Sequence, residues 1–363
     1  MNKKILIIGS TGKLGSKLLN YTKKENISVN AITCFANKKK LLNQTKKFNI
    51  DRSFILSLSS EKNSFLKFLS KSKFSIIYFL DYGSFSLSYL DVILKINNGC
   101  IIAIANKEMI IAGGHLLRNK IIRSKNILLP LDSEHFSIFR LKPTDIETKH
   151  LYITASGGPF YFNKKINLDK VTKKDVVSHP KWKMGINNSI DSSNFINKML
   201  EIFELSIIYN INISKVDFLI SQEAFIHSLI CFKDNTININ CFENDMLIPL
   251  IKPLTLSIIS NELDLKSKKY LDFNNLRLEI FNDKRFKISK FFKKIKKFTH
   301  NQQISFMILN NHAHQLYLNG KLPYANIIDY ILDNIEPQKG MKFRSFHDIL
   351  RYIGDLKLKY ETF

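Results

Sequence analysis

Two carboxylates flank a serine at the point where an apolar run of the sequence ends. Asp132, Ser133 and Glu134 directly follow "NILLPL" (126–131). Because alternate residues of an extended backbone face the same way, both carboxylates can point at one place. Two converging carboxylates repel each other, and a hard divalent ion such as Mg²⁺, which prefers oxygen ligands, would relieve that repulsion. The stretch is consistent with half of a metal site, with an Asp or Ser cap of a following helix, or with exposed acids at a strand end.

A third carboxylate lies in the segment 190–209, where apolar residues recur at helical spacing. The spacing predicts a helix that begins around Asp191–Ser192. Asn197 and Glu201 are one turn apart on a face other than the apolar one, and Lys198 lies beside them. An amide, an ammonium group and a carboxylate in one place suit a sugar phosphate and a metal. A solvated helix face is the alternative interpretation.

The residues just before this helix indicate a cover over a site. His179, Trp182 and Met184 lie around Pro180 and Gly185, and Trp182 is the only tryptophan of the chain. Such a loop predicts a lid that closes over bound substrate and excludes water. An aromatic anchor packed into the core is the alternative.

A glycine-rich turn follows the first apolar run. The segment "GSTGKLG" contains Gly9, Gly12 and Gly15, and Thr11 can add a hydroxyl contact to phosphate. Glycine permits a tight turn from strand to helix and lets the backbone approach a pyrophosphate at the helix N-terminus. The pattern predicts a dinucleotide site, and a plain strand-to-helix turn is the alternative.

The end of the second predicted strand indicates which dinucleotide binds. A site for NAD normally places an acid there to hold the ribose 2′-hydroxyl. The segment "TCFANKKK" (33–40) has no acid, and Asn37 is followed by Lys38, Lys39 and Lys40. Cations in place of an acid suit the 2′-phosphate of NADP.

The first third of the chain supplies the elements that would position these residues. Short apolar runs alternate with helix-length polar segments, and the predicted strands are 4–9, 28–33, 75–80, 100–105 and 126–131. This alternation predicts an α/β fold with a doubly wound parallel sheet. The predicted domains are a Rossmann-like NADPH-binding domain (1–149), an α+β catalytic domain that binds metal and substrate (150–252), an irregular connector (253–286) and a small helical C-terminal domain (287–363).

Composition restricts the class of protein. The chain has 363 residues, a net charge of +24 and four cysteines, none in a CxxC spacing. No apolar run reaches the roughly 18 residues of a membrane span, and the run before Gly9 is too short for a secretion signal. We therefore expect a cytoplasmic protein with reduced thiols and no membrane partner. The lysines are scattered, so we expect no nucleic-acid partner, although a basic nucleic-acid-binding protein that has lost catalysis is one alternative.

Taken together, these motifs resemble the 1-deoxy-D-xylulose 5-phosphate reductoisomerase family, whose members are NADPH- and metal-dependent enzymes of the non-mevalonate isoprenoid pathway. The matching stretches occur in the family's order and spacing, and they are "GSTGKLG" (9–15), "IANKEMIIAGG" (104–114), "PLDSEHFSIF" (130–139), "TASGGPF" (154–160), "HPKWKMG" (179–185), "IDSSNFINKMLEIFE" (190–204) and "IHSLI" (226–230). The resemblance covers about residues 4 to 250 well and the tail poorly.

The resemblance implies a role for individual residues. The metal ligands would be Asp132, Glu134 and Glu201, and these would be catalytic together with Lys107 and His179. The substrate would be bound by Ser133, Ser156, His179, Trp182, Ser192, Asn197 and Lys198. The cofactor would be bound by Gly9, Thr11, Gly12, Lys13, Leu14, Asn37, Lys38, Asn106, Glu108 and Gly185.

The resemblance also implies an activity. A homodimer with NADPH and Mg²⁺, Mn²⁺ or Co²⁺ would convert 1-deoxy-D-xylulose 5-phosphate, a small phosphorylated sugar, to 2-C-methyl-D-erythritol 4-phosphate by skeletal rearrangement and hydride reduction. An NADP-dependent dehydrogenase of another phosphorylated sugar is the alternative function. Two stretches depart from the family: its Gly-Ala-Ala-Gly-like turn reads "LDYGSFSLS" (80–88) here, and its Asn-Ala-Ala-Asn-Glu motif reads "NNHAHQ" (310–315).

Overall fold

A computed structural model describes residues 4–177, 185–257, 276–337 and 340–361 of the chain. The chain forms two compact units. The first unit comprises Met1–Phe139, Glu243–Lys269 and Ser345–His347, and the second comprises Arg140–Phe242, Tyr270–Arg344 and Asp348–Phe363. The finer division at residues 149, 252 and 286 stays a prediction.

The first unit contains a six-stranded parallel sheet with the strand order β3-β2-β1-β4-β5-β6. Its strands are β1 (Ile5–Ile8), β2 (Ala31–Cys34), β3 (Arg52–Ile55), β4 (Ile76–Phe79), β5 (Ile101–Ile104) and β6 (Ile127–Pro130). The helices between its strands are α1 (Lys13–Lys24), α2 (Lys38–Lys47), α3 (Ser59–Leu69), α4 (Leu87–Ile96) and α5 (Lys107–Arg123), and α6 (Ser133–Ser137) follows the last strand. The predicted doubly wound parallel sheet is confirmed.

The central strands of this sheet are continuous apolar runs because both of their faces are covered. Every residue of β1, β4 and β5 is buried, as expected when helices pack on both sides of a parallel sheet. The core of the first unit also includes α10 (Leu247–Ser257), whose Leu250 carbonyl accepts a 3.0 Å hydrogen bond from the Tyr78 hydroxyl. The predicted irregular connector is therefore wrong at its beginning, where the chain is helical through Ser257.

The second unit is built on a mixed five-stranded sheet with the order β10-β9-β7-β8-β11. Its strands are β7 (Thr148–Ala155), β8 (Val216–Ile220), β9 (Ile226–Phe232), β10 (Ile237–Cys241) and β11 (Glu279–Ile280). Among the pairings that the structure describes in this sheet, β7–β8 is parallel and the others are antiparallel. The helices that belong wholly or mainly to this unit are α7 (Lys173–Val177), α8 (Ile186–Ser193), α9 (Ile196–Tyr209), α11 (Ile288–Ile295), α12 (His300–Leu318), α13 (Ile327–Asp333) and α14 (Phe346–Glu361).

The helix predicted from Asp191–Ser192 onward is two helices, because the chain turns between α8 and α9. Phe195 has left-handed backbone angles, with φ of 66°, which disfavour continuation of a helix. Its ring is fully buried and its centroid lies 4.5 Å from that of Phe281 and 4.8 Å from that of Phe286. Aromatic packing therefore compensates for the strained backbone. None of the helices in the described ranges is both long and apolar enough to cross a bilayer.

Candidate active site

The glycine turn connects β1 to α1 at the carboxyl end of the first sheet. Gly9 has φ of +87°, and a Cβ atom there would lie 2.5 Å from the backbone nitrogen of Asp81. A Cβ on Gly15 would lie 2.5 Å from Cα of Ser10, so both positions require glycine. Helix α1 begins without a side-chain cap on its first amides. This geometry suits a phosphate at the helix N-terminus.

Helix α2 fixes the glycine turn from the side. Nζ of Lys40 donates a 2.6 Å hydrogen bond to the carbonyl of Thr11, and Ser10 exchanges two hydrogen bonds with the amide of Gln44. Asn37 caps α2 by accepting from the amide of Lys40. Within the lysine run of "TCFANKKK", Lys40 therefore stabilises the glycine turn, whereas Lys38 is exposed. The contribution of Gln44 was not predicted, because nothing in the sequence connects it with a turn 34 residues away.

An unpredicted carboxyl group lies beside the turn. Asp81, just after β4, accepts hydrogen bonds from the amide of Asn106 at 3.1 Å and from the hydroxyl of Ser86. Burial raises the pKa of Asp81 to about 6, although both hydrogen bonds act to lower it. Asn106 also caps α5 by accepting from the amide of Met109 at 2.9 Å. The predicted Asn106, Lys107 and Glu108 thus begin a helix next to the glycine turn, with Glu108 buried.

The Asp132–Glu134 stretch forms a helix start rather than the end of an extended strand. Oδ1 of Asp132 accepts a 3.2 Å hydrogen bond from the amide of Glu134, and the Ser133 hydroxyl donates to the carboxylate of Glu134. Asp132 and Glu134 are therefore not alternate residues of one strand, as predicted, and their side chains meet because Asp132 caps α6. Buried His135 places Nδ1 3.8 Å from Oδ1 of Asp132. Cap and candidate metal ligand are compatible, because a carboxylate has two oxygens.

Helix α9 brings Asn197, Lys198 and Glu201 together. The amide of Asn197 and the ammonium group of Lys198 each donate a hydrogen bond to the carboxylate of Glu201. The side chains of Lys198 and Glu201 are 9% and 2% exposed. This burial excludes the alternative of a solvated helix face. A buried ion pair generally costs more in desolvation than it returns in stability, so its presence favours a functional role.

The turn after β7 lies against the end of α8. Gly157 and Gly158 have φ of +87° and +59°, and a Cβ on Gly158 would lie 2.9 Å from the carbonyl oxygen of Ser192. The partly buried Ser156 and Ser192 are thereby placed in one neighbourhood of the second unit. Gly185 precedes α8 as its N-cap. The predicted lid residues His179, Trp182 and Met184 lie outside the described residues.

The parallel sheet with its glycine turn, joined in one chain to a unit that carries a buried Lys–Glu pair, defines a dinucleotide-dependent α/β enzyme. A protein of Pelagibacter ubique named 1-deoxy-D-xylulose 5-phosphate reductoisomerase is 31% identical, with coverage of 94% of this chain and 93% of that protein. The chain belongs to the 1-deoxy-D-xylulose 5-phosphate reductoisomerase family.

Further comparisons agree with this assignment. The family model for the C-terminal domain of 1-deoxy-D-xylulose 5-phosphate reductoisomerase matches residues 128–209. A relative of the same name from Clostridium novyi is 29% identical, with 96% of each chain covered. The reductoisomerase of Zymomonas mobilis, solved in complex with NADPH, has 23% sequence identity, a TM-score of 0.83 and coverage of 100% of this chain and 99% of its own. A second reductoisomerase, solved with NADPH, fosmidomycin and magnesium, has 20% identity, a TM-score of 0.84 and coverage of 99% and 98%. At these identities the two structures establish the fold.

Proposed function

We propose that this protein converts 1-deoxy-D-xylulose 5-phosphate to 2-C-methyl-D-erythritol 4-phosphate in isoprenoid precursor biosynthesis, with NADPH and a divalent metal ion. The observation that carries the proposal is the buried pair of Lys198 and Glu201 on α9, with the partly buried Asn197 bonded to it. It lies inside the segment that the family model matches. A dinucleotide-binding unit alone would fit many dehydrogenases, whereas a costly buried ion pair beside an amide suits an anionic substrate and a cation.

The residues of the first unit fit NADPH, which supplies the hydride when bound. Glycine at positions 9 and 15 allows the turn to pack closely against Asp81 and Ser10, as the tight strand-to-helix turn of a pyrophosphate site needs. The residues that would hold the pyrophosphate are Gly9, Thr11, Gly12, Lys13 and Leu14. Exposed Asn37 and Lys38 would face the 2′-phosphate, and Asn106 and Glu108 would lie on the nicotinamide side, with Gly185 as a further contact.

Three carboxylates fit a divalent metal ion, which when bound stabilises negative charge that develops on substrate oxygens. Asp132, Glu134 and Glu201 supply only oxygen donors, the ligand type that Mg²⁺ prefers and that Mn²⁺ and Co²⁺ accept. The chain itself orients two of them, because the cap of α6 fixes Asp132 relative to Glu134. Lys198 offsets the charge of Glu201 before metal and substrate bind.

The substrate would be bound mainly by hydroxyl, amide and ammonium groups. Ser156, Ser192, Asn197 and Lys198 would surround the phosphate and the nearby hydroxyls, with Ser133 beside the metal ligands. Lys107, in the first turn of α5, would lie near the reacting carbons. His179 and Trp182 would close over the substrate and exclude water during rearrangement and reduction.

The test is an assay of the purified protein with NADPH and 1-deoxy-D-xylulose 5-phosphate. We expect NADPH to be consumed after addition of Mg²⁺ or Mn²⁺ and the consumption to stop on addition of EDTA. A folded sample that leaves NADPH unchanged in the presence of metal would contradict the proposal. Consumption that EDTA leaves unaffected would favour the alternative, a dehydrogenase of another phosphorylated sugar.

We further propose that the enzyme is a cytoplasmic homodimer whose only ligands are its cofactors and its substrate, with no nucleic-acid or membrane partner. Family resemblance supports the dimer. Light scattering during gel filtration should give twice the 42.2 kDa of one chain. A mass of one chain at working concentration would contradict the dimer.

A further inference from the structure

A buried polar cluster outside the proposed ligand set connects α8 with α12. Nε2 of His314 lies 2.9 Å from Oδ1 of Asp191, and the amide of Asn310 donates a 2.8 Å hydrogen bond to the same oxygen. The exposed fractions of Asp191, His314 and Asn310 are 5%, 0% and 1%. Two polar groups from one helix thus converge on one carboxylate of another.

A purely structural contact between α8 and α12 would not need this cluster. Nδ1 of His314 has no hydrogen-bond partner among the described residues, and Nε2 approaches Asp191 at ion-pair distance without hydrogen-bond geometry. A buried polar atom without a partner is destabilising, and an apolar side chain at this position would avoid that penalty. The imidazole is therefore better explained by what it does to Asp191 than by its contribution to packing.

The carboxylate that the cluster holds is adjacent to Ser192. On the other side of Ser192, the hydroxyl of Ser193 lies 2.9 Å from that of Tyr324. Ser193 is fully buried and Tyr324 nearly so, whereas Ser192 is partly exposed. The last turn of α8 is thus anchored at Asp191 and at Ser193, and its partly exposed residue is the serine between the two anchors.

We propose that Asp191, His314 and Asn310 are positioning residues that fix the last turn of α8, and through it Ser192, for binding the phosphate group of the substrate. This inference rests on the proposed function, which places Ser192 at the phosphate. Misplacement of a binding group by a fraction of an ångström weakens the interaction that it makes with a ligand. The three residues therefore control affinity for substrate without touching it.

The experiment compares His314→Leu with wild type in the NADPH-consumption assay. Leucine fills the buried space but cannot make a polar contact with Asp191. We expect the KM for 1-deoxy-D-xylulose 5-phosphate to rise about tenfold, while the Kd for NADPH, whose proposed contacts lie mainly in the first unit, stays within about twofold of wild type. His314→Gln keeps a donor for Asp191 and should restore most of the substrate affinity.

His312→Leu is the matched control. His312 lies on the same helix, but its Nδ1 contacts the hydroxyl of Tyr330 at 2.7 Å instead of Asp191. A general loss of packing in α12 would raise KM in both leucine variants, whereas a positioning role raises it in His314→Leu alone. Asn310→Leu removes the second donor to Asp191 and replaces His314→Leu if that variant does not fold.

The outcomes separate this inference from the proposed function. A wild-type protein without turnover would reject the proposed function itself. With active wild type, an unchanged KM in folded His314→Leu or Asn310→Leu overturns the positioning role. Equal rises in His314→Leu and His312→Leu, or failure of His314→Gln to restore affinity, would overturn it as well.

Discussion

At the scale of single residues, Glu201 combines burial with a negative charge. Its carboxylate accepts from Asn197 and Lys198. A carboxylate that is 2% exposed is destabilising unless it is paired or binds a cation. The spacing of these residues predicted their proximity. Their burial was not predictable, because the pattern of apolar residues alone did not reveal that α9 is covered on this side as well.

Replacement of Glu201 by Gln tests its role as a metal ligand. The substitution preserves shape but removes the charge that holds a divalent ion, so we expect kcat to fall at least about 100-fold. The Kd for NADPH, measured by fluorescence titration, should stay within about threefold of wild type. Glu204→Gln is the matched control, because Glu204 lies on the same helix and is 1% exposed. Turnover that survives in Glu201→Gln would show that Glu201 is not a ligand.

Asp81 predicts a change of stability with pH. Burial raises its pKa from 3.8 to about 6, so the folded protein holds this proton more tightly than the unfolded chain. Its contribution to the free energy of unfolding is therefore full below about pH 4 and is lost as the pH rises through about 6.

Asp81→Asn should remove this dependence, because an amide keeps the hydrogen bond from Asn106 without a charge. Relative to wild type, we expect the free energy of unfolding of the variant to increase by roughly 2 kcal/mol between about pH 4 and pH 7. Denaturant unfolding of both proteins across this range measures the difference. A difference that is constant with pH would contradict the predicted titration.

At the scale of elements, the ends of helices and strands carry most of the candidate site. Apolar runs predicted β1, β2, β4, β5 and β6 correctly because buried parallel strands are continuous apolar segments. They did not predict β3, an edge strand that starts with the exposed Arg52 and is only partly buried. The division between α8 and α9 also escaped prediction, because it depends on the packing of Phe195 against rings about 90 residues later in the chain.

The turn from β1 to α1 depends on Gly9. Alanine there would meet the backbone of Asp81 and would adopt an unfavourable positive φ. We expect Gly9→Ala to weaken NADPH binding at least about tenfold and to lower the melting temperature. Gly354→Ala on α14 is the control, because a Cβ there meets no atom within 4 Å and alanine favours a helix. Wild-type affinity for NADPH in Gly9→Ala would contradict the proposed cofactor turn.

At the scale of the whole molecule, a dinucleotide-binding unit and a unit with a buried polar group belong to one chain of a known enzyme family. The net charge of +24 is consistent with a phosphorylated substrate and cofactor, although scattered lysines make it a weak indicator of partners. The fold and the family were predictable because several motifs occur in the order and spacing of the family. The buried cluster of Asp191, Asn310 and His314 was not predictable, because Asp191 lies about 120 residues before the other two in the sequence.

The central claim is that this protein rearranges a carbon skeleton and reduces the result, rather than simply reducing a sugar phosphate. The most direct test is carbon NMR of the product formed from 1-deoxy-D-xylulose 5-phosphate with NADPH and Mg²⁺. We predict the branched skeleton of 2-C-methyl-D-erythritol 4-phosphate, formed in amounts equal to the NADPH consumed. An unbranched product, or NADPH consumption without the branched product, would contradict the claim.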